Sequence, residues 1–567
     1  MVFSRYVNYD GKPFYAERGW LIGDGQIGGK AKGIAFAQSA VAEAGLSEEV
    51  SFPHTTFVIT TEVFDEFMRR NALEPIVRGT EDFSQIEKAF EEALLPESVR
   101  SALAGILQRI DSPVAVRSSS ILEDDIALAF AGKYETRFFG NRGNLEYRLR
   151  RLERAVKLVY ASTFNPTAKA YRRKHGIKLA GEKMAVIIQP VVGRRRGDLY
   201  YPELAGAAFS KVFRRPTPRV RKEDGVLRLC FGLGTRVVGR SFARTFFLSH
   251  PGIRPEGNSM ADILSHAQDE FDYVDLEHGF LLGMDANKAI SHIMKHHKNA
   301  ASFLELAYDD SFHWILSEVR HLAYAKAVFT FSDFHRRFPR FFDQLRKVLL
   351  LFEETMGLPV DIELTYETEG DQMNIVQLRP LATYEEFGRV EIPRDIPRER
   401  ILLKGSGMVS NGVLERVSHI VCVDPLAYLR SDPHLVARAV GAANEALKGG
   451  YILVGPGRWG SINPALGVPV RYGEISNCNC LVEVGFSNSG MAPELSYGTH
   501  FFLDLDADGV LYLPVLEGKE ANIYNREWFS GTSYEEGQHP AVRIYHGNFS
   551  VLLDGENDVG VVIVNEP

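Results

Sequence analysis

The sequence predicts an α+β protein with α/β elements, organised as a large front body and a separate C-terminal α+β domain. Three observations carry that expectation. In the first 384 residues, apolar positions recurring at steps of three and four alternate with short apolar runs of strand length. The segment Glu385–Arg400, EEFGRVEIPRDIPRER, then interrupts the apolar pattern with charges and with Pro393 and Pro397. Beyond it, one helical stretch is followed by short β-rich runs divided by Gly, Pro and Asn. The expected division is therefore 1–384, a linker at 385–400, and 401–567, a last part of about 165 residues within the usual domain size.

Composition narrows the classes. With 567 residues, 45% hydrophobic and 24% charged, the chain has apolar material for several cores, which excludes wholesale disorder. A formal charge of −8 repels polyanions at long range, so dedicated nucleic-acid binding is disfavoured. Four cysteines are too few for a disulfide framework and suit a reducing compartment. Neither a secretory-type N-terminal run nor a stretch of about 18 apolar residues is present, so a cytoplasmic protein without a membrane partner is expected.

The elements follow in chain order. Ile27–Gly33, IGGKAKG, sits just before an apolar helical pattern. Glycines there allow close approach to an anion, a helix start offers N–H groups, and Lys30 adds charge; a tight turn with solvated lysines is the alternative. Pro113–Thr136 opens as an apolar strand that runs into Arg117, Ser118, Ser119 and Ser120, donors suited to phosphate oxygens, followed by the acids Glu123, Asp124 and Asp125; a capped helix start is the alternative. Leu145, Leu149, Leu152, Val156 and Val159 mark one helical face, and Met184–Val192 a short strand. Arg194–Arg196 and Arg214–Lys222 read as basic loops, solvated by default, and His292, His296 and His297 as part of a solvated helix.

Asp361–Pro380, DIELTYETEGDQMNIVQLRP, reads as two strands joined by a turn at Glu369-Gly370-Asp371. Period-two alternation puts Asp361, Glu363, Thr365 and Glu367 on one side, with Gln377 and Arg379 together on the returning strand. Two carboxylates beside an amide and a guanidinium suit a hard cation bridging phosphate oxygens; a solvated hairpin face is the alternative. In the last part a helix is expected around Leu435–Leu447 and strands at Leu481–Val484 and Val510–Val515. Gly455–Ser461 is a candidate anion-binding turn around Arg458, or a turn anchored by Trp459. His500, after Gly498 and Thr499, is a candidate phosphate acceptor or base. Asp504, Asp506, Asp508 and Gly509 begin like a calcium loop but fit a hairpin turn better. Cys478 and Cys480 lack the second pair of a zinc site.

Taken in order, GGKAKG at Gly28–Gly33, VRSSS with ED and FAG at Val116–Gly132, IIQPVVG at Ile187–Gly193, AGAAFS at Ala205–Ser210, GLGTRVVG at Gly232–Gly239, and DIE with QLRP resemble the nucleotide-binding N-terminal part of the pyruvate phosphate dikinase and phosphoenolpyruvate synthase family, over residues 15–382. The resemblance implies an ATP-grasp fold binding ATP and Mg²⁺. It implies adenine against Ile187–Val192, which includes Gln189, and phosphate contacts by Lys30, Arg117, Ser118, Glu363, Gln377 and Arg379. Asp361 and Glu363 would hold the metal, and Arg117 and Arg379 would steady the transferring phosphoryl group. Ala129 and Lys133 depart from the family's serine and glutamine, so acceptor-side contacts are expected to differ. The family's phosphohistidine and barrel domains are not recognisable, and His419, in RVSHIVCVD, reads as a structural strand histidine. The expectation is an ATP- and Mg²⁺-dependent phosphotransferase, kinase or dikinase-like, that is not a complete phosphoenolpyruvate synthase. Its acceptor would be a small molecule or a protein histidine, His500 first, or a separate carrier protein. The competing readings are a nucleotide-binding regulatory or scaffold protein without turnover, and a basic-loop RNA binder.

Overall fold

The computed structural model describes residues 5–122, 134–174, 176–177, 182–212, 217, 219–237, 243–255, 257–314, 325–381, 390–393, 395–407, 409–460, 464, 466–486, 505 and 508–565. The chain divides into two units: Met1–Lys169 with Lys178–Val212 and Glu223–Ala382, and Ala170–Ile177 with Phe213–Lys222 and Thr383–Pro567.

Two sheets and one helix position the site in the first unit. One sheet runs in the order Leu21–Ile22, Phe57–Ile59, Met184–Pro190, Val114–Ser120, Thr136–Phe139. The other runs Arg244–Phe247, Val226–Phe231, Leu204–Phe209, Val360–Glu367, Gln372–Pro380, Val50–Ser51. The helix Gly28–Glu43 packs on Val114–Ser120 of the first sheet and on Gln372–Pro380 of the second. It is apolar nearly all round because it is covered on several sides: Ala31, Ala35 and Ala37 are fully buried and Phe36 almost so. The five-residue face expected around Leu149 is the helix Leu145–Ser162, started by Asn144, whose side-chain oxygen accepts from Tyr147 N–H at 2.9 Å. Both strands of the Asp361–Pro380 hairpin form as expected. Ile362, Leu364 and Tyr366 face the main apolar core, and the opposite, polar face is covered as well: Asp361, Thr365 and Glu367 are all less than a tenth exposed.

The second unit is built on a mixed sheet. Leu511–Leu516, Cys478–Gly485, Tyr451–Pro456 and Gly412–Val423 run parallel. Val542–Asp554, Val559–Val564, Ile401–Gly405 and Ile523–Tyr524 continue it antiparallel. The expected helix is Pro433–Ala446, with Asp432 accepting from His434 N–H at its start. Its β content is not confined to short runs. The centre is a pair of long strands, Gly412–Val423 and Val542–Asp554, whose register slips twice around Val417, beside Arg416 at φ 58°. Charged residues at these bulges break the apolar alternation that would have marked the strand. Among the described residues no helix is long and apolar enough to cross a membrane.

Candidate active site

Gly28, at φ +72°, starts the helix Gly28–Glu43 where a Cβ would lie 1.7 Å from the Ser119 carbonyl oxygen, and a Cβ on Gly33 would lie 1.9 Å from that of Leu378. These two glycines let the helix touch protein backbone, a requirement separate from approach to an anion. Between them, the buried Ser119 hydroxyl accepts from Ala31 N–H at 3.1 Å and donates to the Ile27 carbonyl at 2.9 Å, tying the first helical turn to the strand Val114–Ser120. Lys30, only 8% exposed, donates from Nζ to Ser118 Oγ at 3.0 Å. The lysine is thus held inward, not solvated.

Arg117 leaves the same strand toward the hairpin. Its Nη2 donates to Glu363 Oε2 at 2.5 Å and to Gln377 Oε1 at 2.6 Å, and Nη1 to the Val376 carbonyl at 3.3 Å. In the hairpin, Asp361 lies opposite Arg379 and Glu363 opposite Gln377, with a bulge immediately after Glu363. Arg379 donates to Asp361 Oδ2 from Nε at 2.6 Å and from Nη2 at 2.5 Å. The two carboxylates are tuned apart. Burial pushes the Asp361 carboxyl above its ordinary range despite Arg379. Burial acts the same way on Glu363, but Arg117, Arg379 and Lys30 outweigh it and hold that carboxyl low.

Lys30 is thus bonded to Ser118, and Arg117, the preceding residue of the strand, to Glu363 and Gln377, while Lys30 is near enough to Glu363 to lower its carboxyl; the Asp361–Arg379 pair lies two register positions along the hairpin, on the same face. Gln189 stands apart from these bonds. It shares a sheet face with Arg117, because Arg117 pairs with Ile187 and Ala115 with Gln189, but its Nε2 donates to Thr56 Oγ1 at 3.1 Å. His500 lies outside the described residues, as do Glu123–Lys133. Three cations, Lys30, Arg117 and Arg379, around two carboxylates and an amide make a cluster that can attract a polyanion and offer hard oxygen ligands. Among the described residues no group of three or more His, Cys, Asp or Glu side chains could hold a metal unaided. Two carboxylates suit a Mg²⁺ ion that completes its shell with phosphate oxygens and water.

Other candidates resolve differently. Arg196 is buried and donates to Glu367 Oε2 at 2.7 Å, while Arg194 and Arg195 are exposed, as expected of a solvated basic stretch, and pair at 3.5 Å with Glu367 and Asp198. His297 is 3% exposed, not solvated: its Nδ1 meets Glu203 Oε1 at 2.9 Å and its Nε2 the Tyr201 hydroxyl at 3.0 Å. The N–H groups of Gly457, Arg458, Trp459 and Gly460 each donate within the protein, to Val484, Leu466, Glu483 and Val468, so these four amides are not offered to an anion. Trp459, 1% exposed, is its anchor. His419 sits opposite His546 in the central strand pair, as a strand histidine. Sequence reasoning missed the tie made by Ser119; its signal was a second hydroxyl behind Arg117, with nothing to indicate the helix it would hold.

A family model described as pyruvate phosphate dikinase, AMP/ATP-binding domain, matches residues 24–399. A phosphoenolpyruvate synthase of Deinococcus radiodurans is 28% identical over 245 residues, 40% of this chain and 28% of that protein. A phosphoenolpyruvate synthase of Pseudomonas aeruginosa is 24% identical over 401 residues, 68% of this chain and 43% of that one. A rifampicin phosphotransferase of Streptomyces sviceus is 30% identical over 129 residues, 22% of this chain and 13% of that one. The chain spans less than half the length of each of these relatives.

Proposed function

Because the chain belongs to the pyruvate phosphate dikinase AMP/ATP-binding domain family, we propose that it is an ATP- and Mg²⁺-dependent phosphotransferase with an ATP-grasp nucleotide-binding body. The observation that carries this reading is the convergence of Lys30, Arg117 and the Asp361–Arg379 hairpin from three distant stretches of sequence. In the proposal Lys30, Ser118, Arg117, Gln377 and Arg379 hold the polyphosphate, Asp361 and Glu363 hold the metal, and the strand with Gln189 flanks adenine. When bound, Mg²⁺ neutralises charge on the phosphate oxygens. Arg117 and Arg379 supply charge-assisted hydrogen bonds to a phosphoryl group in transfer. The relatives' names point to phosphoryl transfer while their acceptors differ, so the acceptor here is left as a small molecule, a separate carrier protein, or His500 within the C-terminal unit. We place the reaction in the cytoplasm, a reducing setting suited to four buried thiols.

The test is incubation of the purified chain with ATP, Mg²⁺ and fractionated metabolite pools, followed by chromatographic separation of AMP from ADP. Acceptor-dependent AMP indicates dikinase-type transfer, and ADP an ordinary kinase. Acid-labile labelling of the protein that disappears in His500→Ala assigns the carrier role to that histidine. ATP binding without either product would leave a nucleotide-binding regulatory protein and end the enzyme reading.

A further inference from the structure

The two carboxylates of the site already serve as counter-ions. Glu363 Oε2 takes Arg117 and Asp361 Oδ2 takes Arg379, with Asp361, Arg117 and Arg379 all largely covered and Glu363 the most open at 31% side-chain exposure. A triphosphate that arrives without a metal adds only negative charge. To reach Arg117 it must displace Glu363 and then lie beside a carboxylate deprived of its partner in a half-buried site, where screening by water is weak. A metal-bound triphosphate brings a cation that takes over the carboxylates as the guanidiniums turn to phosphate oxygens, so every charge exchanges one partner for another.

We propose that Glu363, with Asp361 behind it, is a specificity-determining residue that makes this site select metal-bound over metal-free nucleotide, by occupying Arg117 until a divalent cation replaces the guanidinium. The proposal rests on the nucleotide-site reading above. It assigns the Arg117–Glu363 pair a function in the unliganded protein: exclusion of uncomplexed polyphosphate. Gln377, which also accepts from Arg117, keeps the guanidinium oriented when Glu363 leaves.

The experiment is calorimetric titration of the full chain with adenosine 5′-(β,γ-imido)triphosphate, in MgCl₂ and separately in EDTA, for the wild type and Glu363→Gln. The wild type is expected to bind far more tightly in MgCl₂. In Glu363→Gln the affinity in EDTA should rise about a hundred-fold or more, the order expected for removing one unit charge a few ångströms from the phosphates at an effective dielectric of about 20. Its affinity in MgCl₂ should fall, so that the preference for the metal complex collapses. A thermal melt verifies the fold of the variant, and if Glu363→Gln loses the wild-type transition, Asp361→Asn is judged by the same criterion. An affinity in EDTA that is unchanged or weaker in the folded variant, with the wild type binding the magnesium complex, overturns the proposal and leaves the nucleotide site standing. Absence of binding to the wild type in both buffers overturns the nucleotide reading and the proposal with it.

Discussion

His292 and His297 show how burial sets the chemistry of single residues. His292 Nε2 and His297 Nε2 both meet the Tyr201 hydroxyl, at 3.1 and 3.0 Å, and His297 Nδ1 meets the Glu203 carboxylate at 2.9 Å. With His297 neutral and donating from Nδ1, its Nε2 accepts from the tyrosine, which in turn accepts from His292. Burial, then the neighbouring His296, His297 and Arg196, lowers His292 to about 4, and burial lowers His297 as well. The unfolded chain therefore takes up these protons near pH 6.5 while the folded chain resists them. Stability is complete above that pH and declines as pH falls from about 6.5 toward about 4. Urea midpoints measured across this interval should fall less steeply in His292→Gln than in the wild type. Equal slopes would mean that His292 titrates as a solvated histidine. The helical position of His292 was legible in the sequence, whereas His297 stands just past the helix Ala286–His296 in extended conformation. Their burial was not legible, because Glu203 lies 94 residues from His297 and no local pattern announces the pairing.

At the scale of elements, the site depends on how closely one helix approaches two sheets. Gly33→Ala places a methyl 1.9 Å from a backbone carbonyl, which no rotamer change relieves, so the helix carrying Lys30 must shift. The expected cost is about 1–3 kcal/mol of stability together with weakened nucleotide binding. Gly105, inside the helix Glu97–Arg109, has nothing within 4 Å of its Cβ direction. Gly105→Ala should be stabilising by roughly 0.5–1 kcal/mol and leave binding unchanged. Chemical denaturation and nucleotide titration of both variants check the contrast, and equal losses would refute the packing argument. The sequence showed the glycines but suggested an anion as the reason for them. Alternation likewise placed Asp361 with Glu363 and Gln377 with Arg379, since period two holds along each strand. It could not show the bulge after Glu363, which leaves Val376 without a cross-strand partner and its carbonyl pointing at Arg117. Of the long strand Gly412–Val423 only the end around His419 was legible, for the same reason, as the bulges before it interrupt the period that identifies a strand.

At the scale of the whole molecule, two of the apolar clusters among the described residues are large and share no member, one through Phe231, Phe334 and Leu345 and the other through Ile420, Val454 and Tyr545. The seam in composition at Glu385–Arg400 had suggested a division, but it carried no information about what each side packs around. Two cores predict two unfolding transitions, and a ligand raises only the transition of the unit that binds it. Saturating Mg²⁺ and nucleotide at about a hundred times Kd should add about 2.7 kcal/mol to the first unit. The second unit has its own probe in Trp459, packed over Gly455 where a Cβ would meet the ring at 2.3 Å, with its backbone N–H donating to Glu483 Oε1 at 2.9 Å and Tyr512 holding the other oxygen of Glu483 at 2.6 Å. Trp459→Ala removes a nearly fully buried side chain and should cost about 3–5 kcal/mol. Calorimetry should then show the nucleotide moving one transition upward and Trp459→Ala moving the other downward, with nucleotide affinity unaltered in the variant below its lower transition. A single transition shifted by both changes would mean that the two cores unfold as one cooperative body.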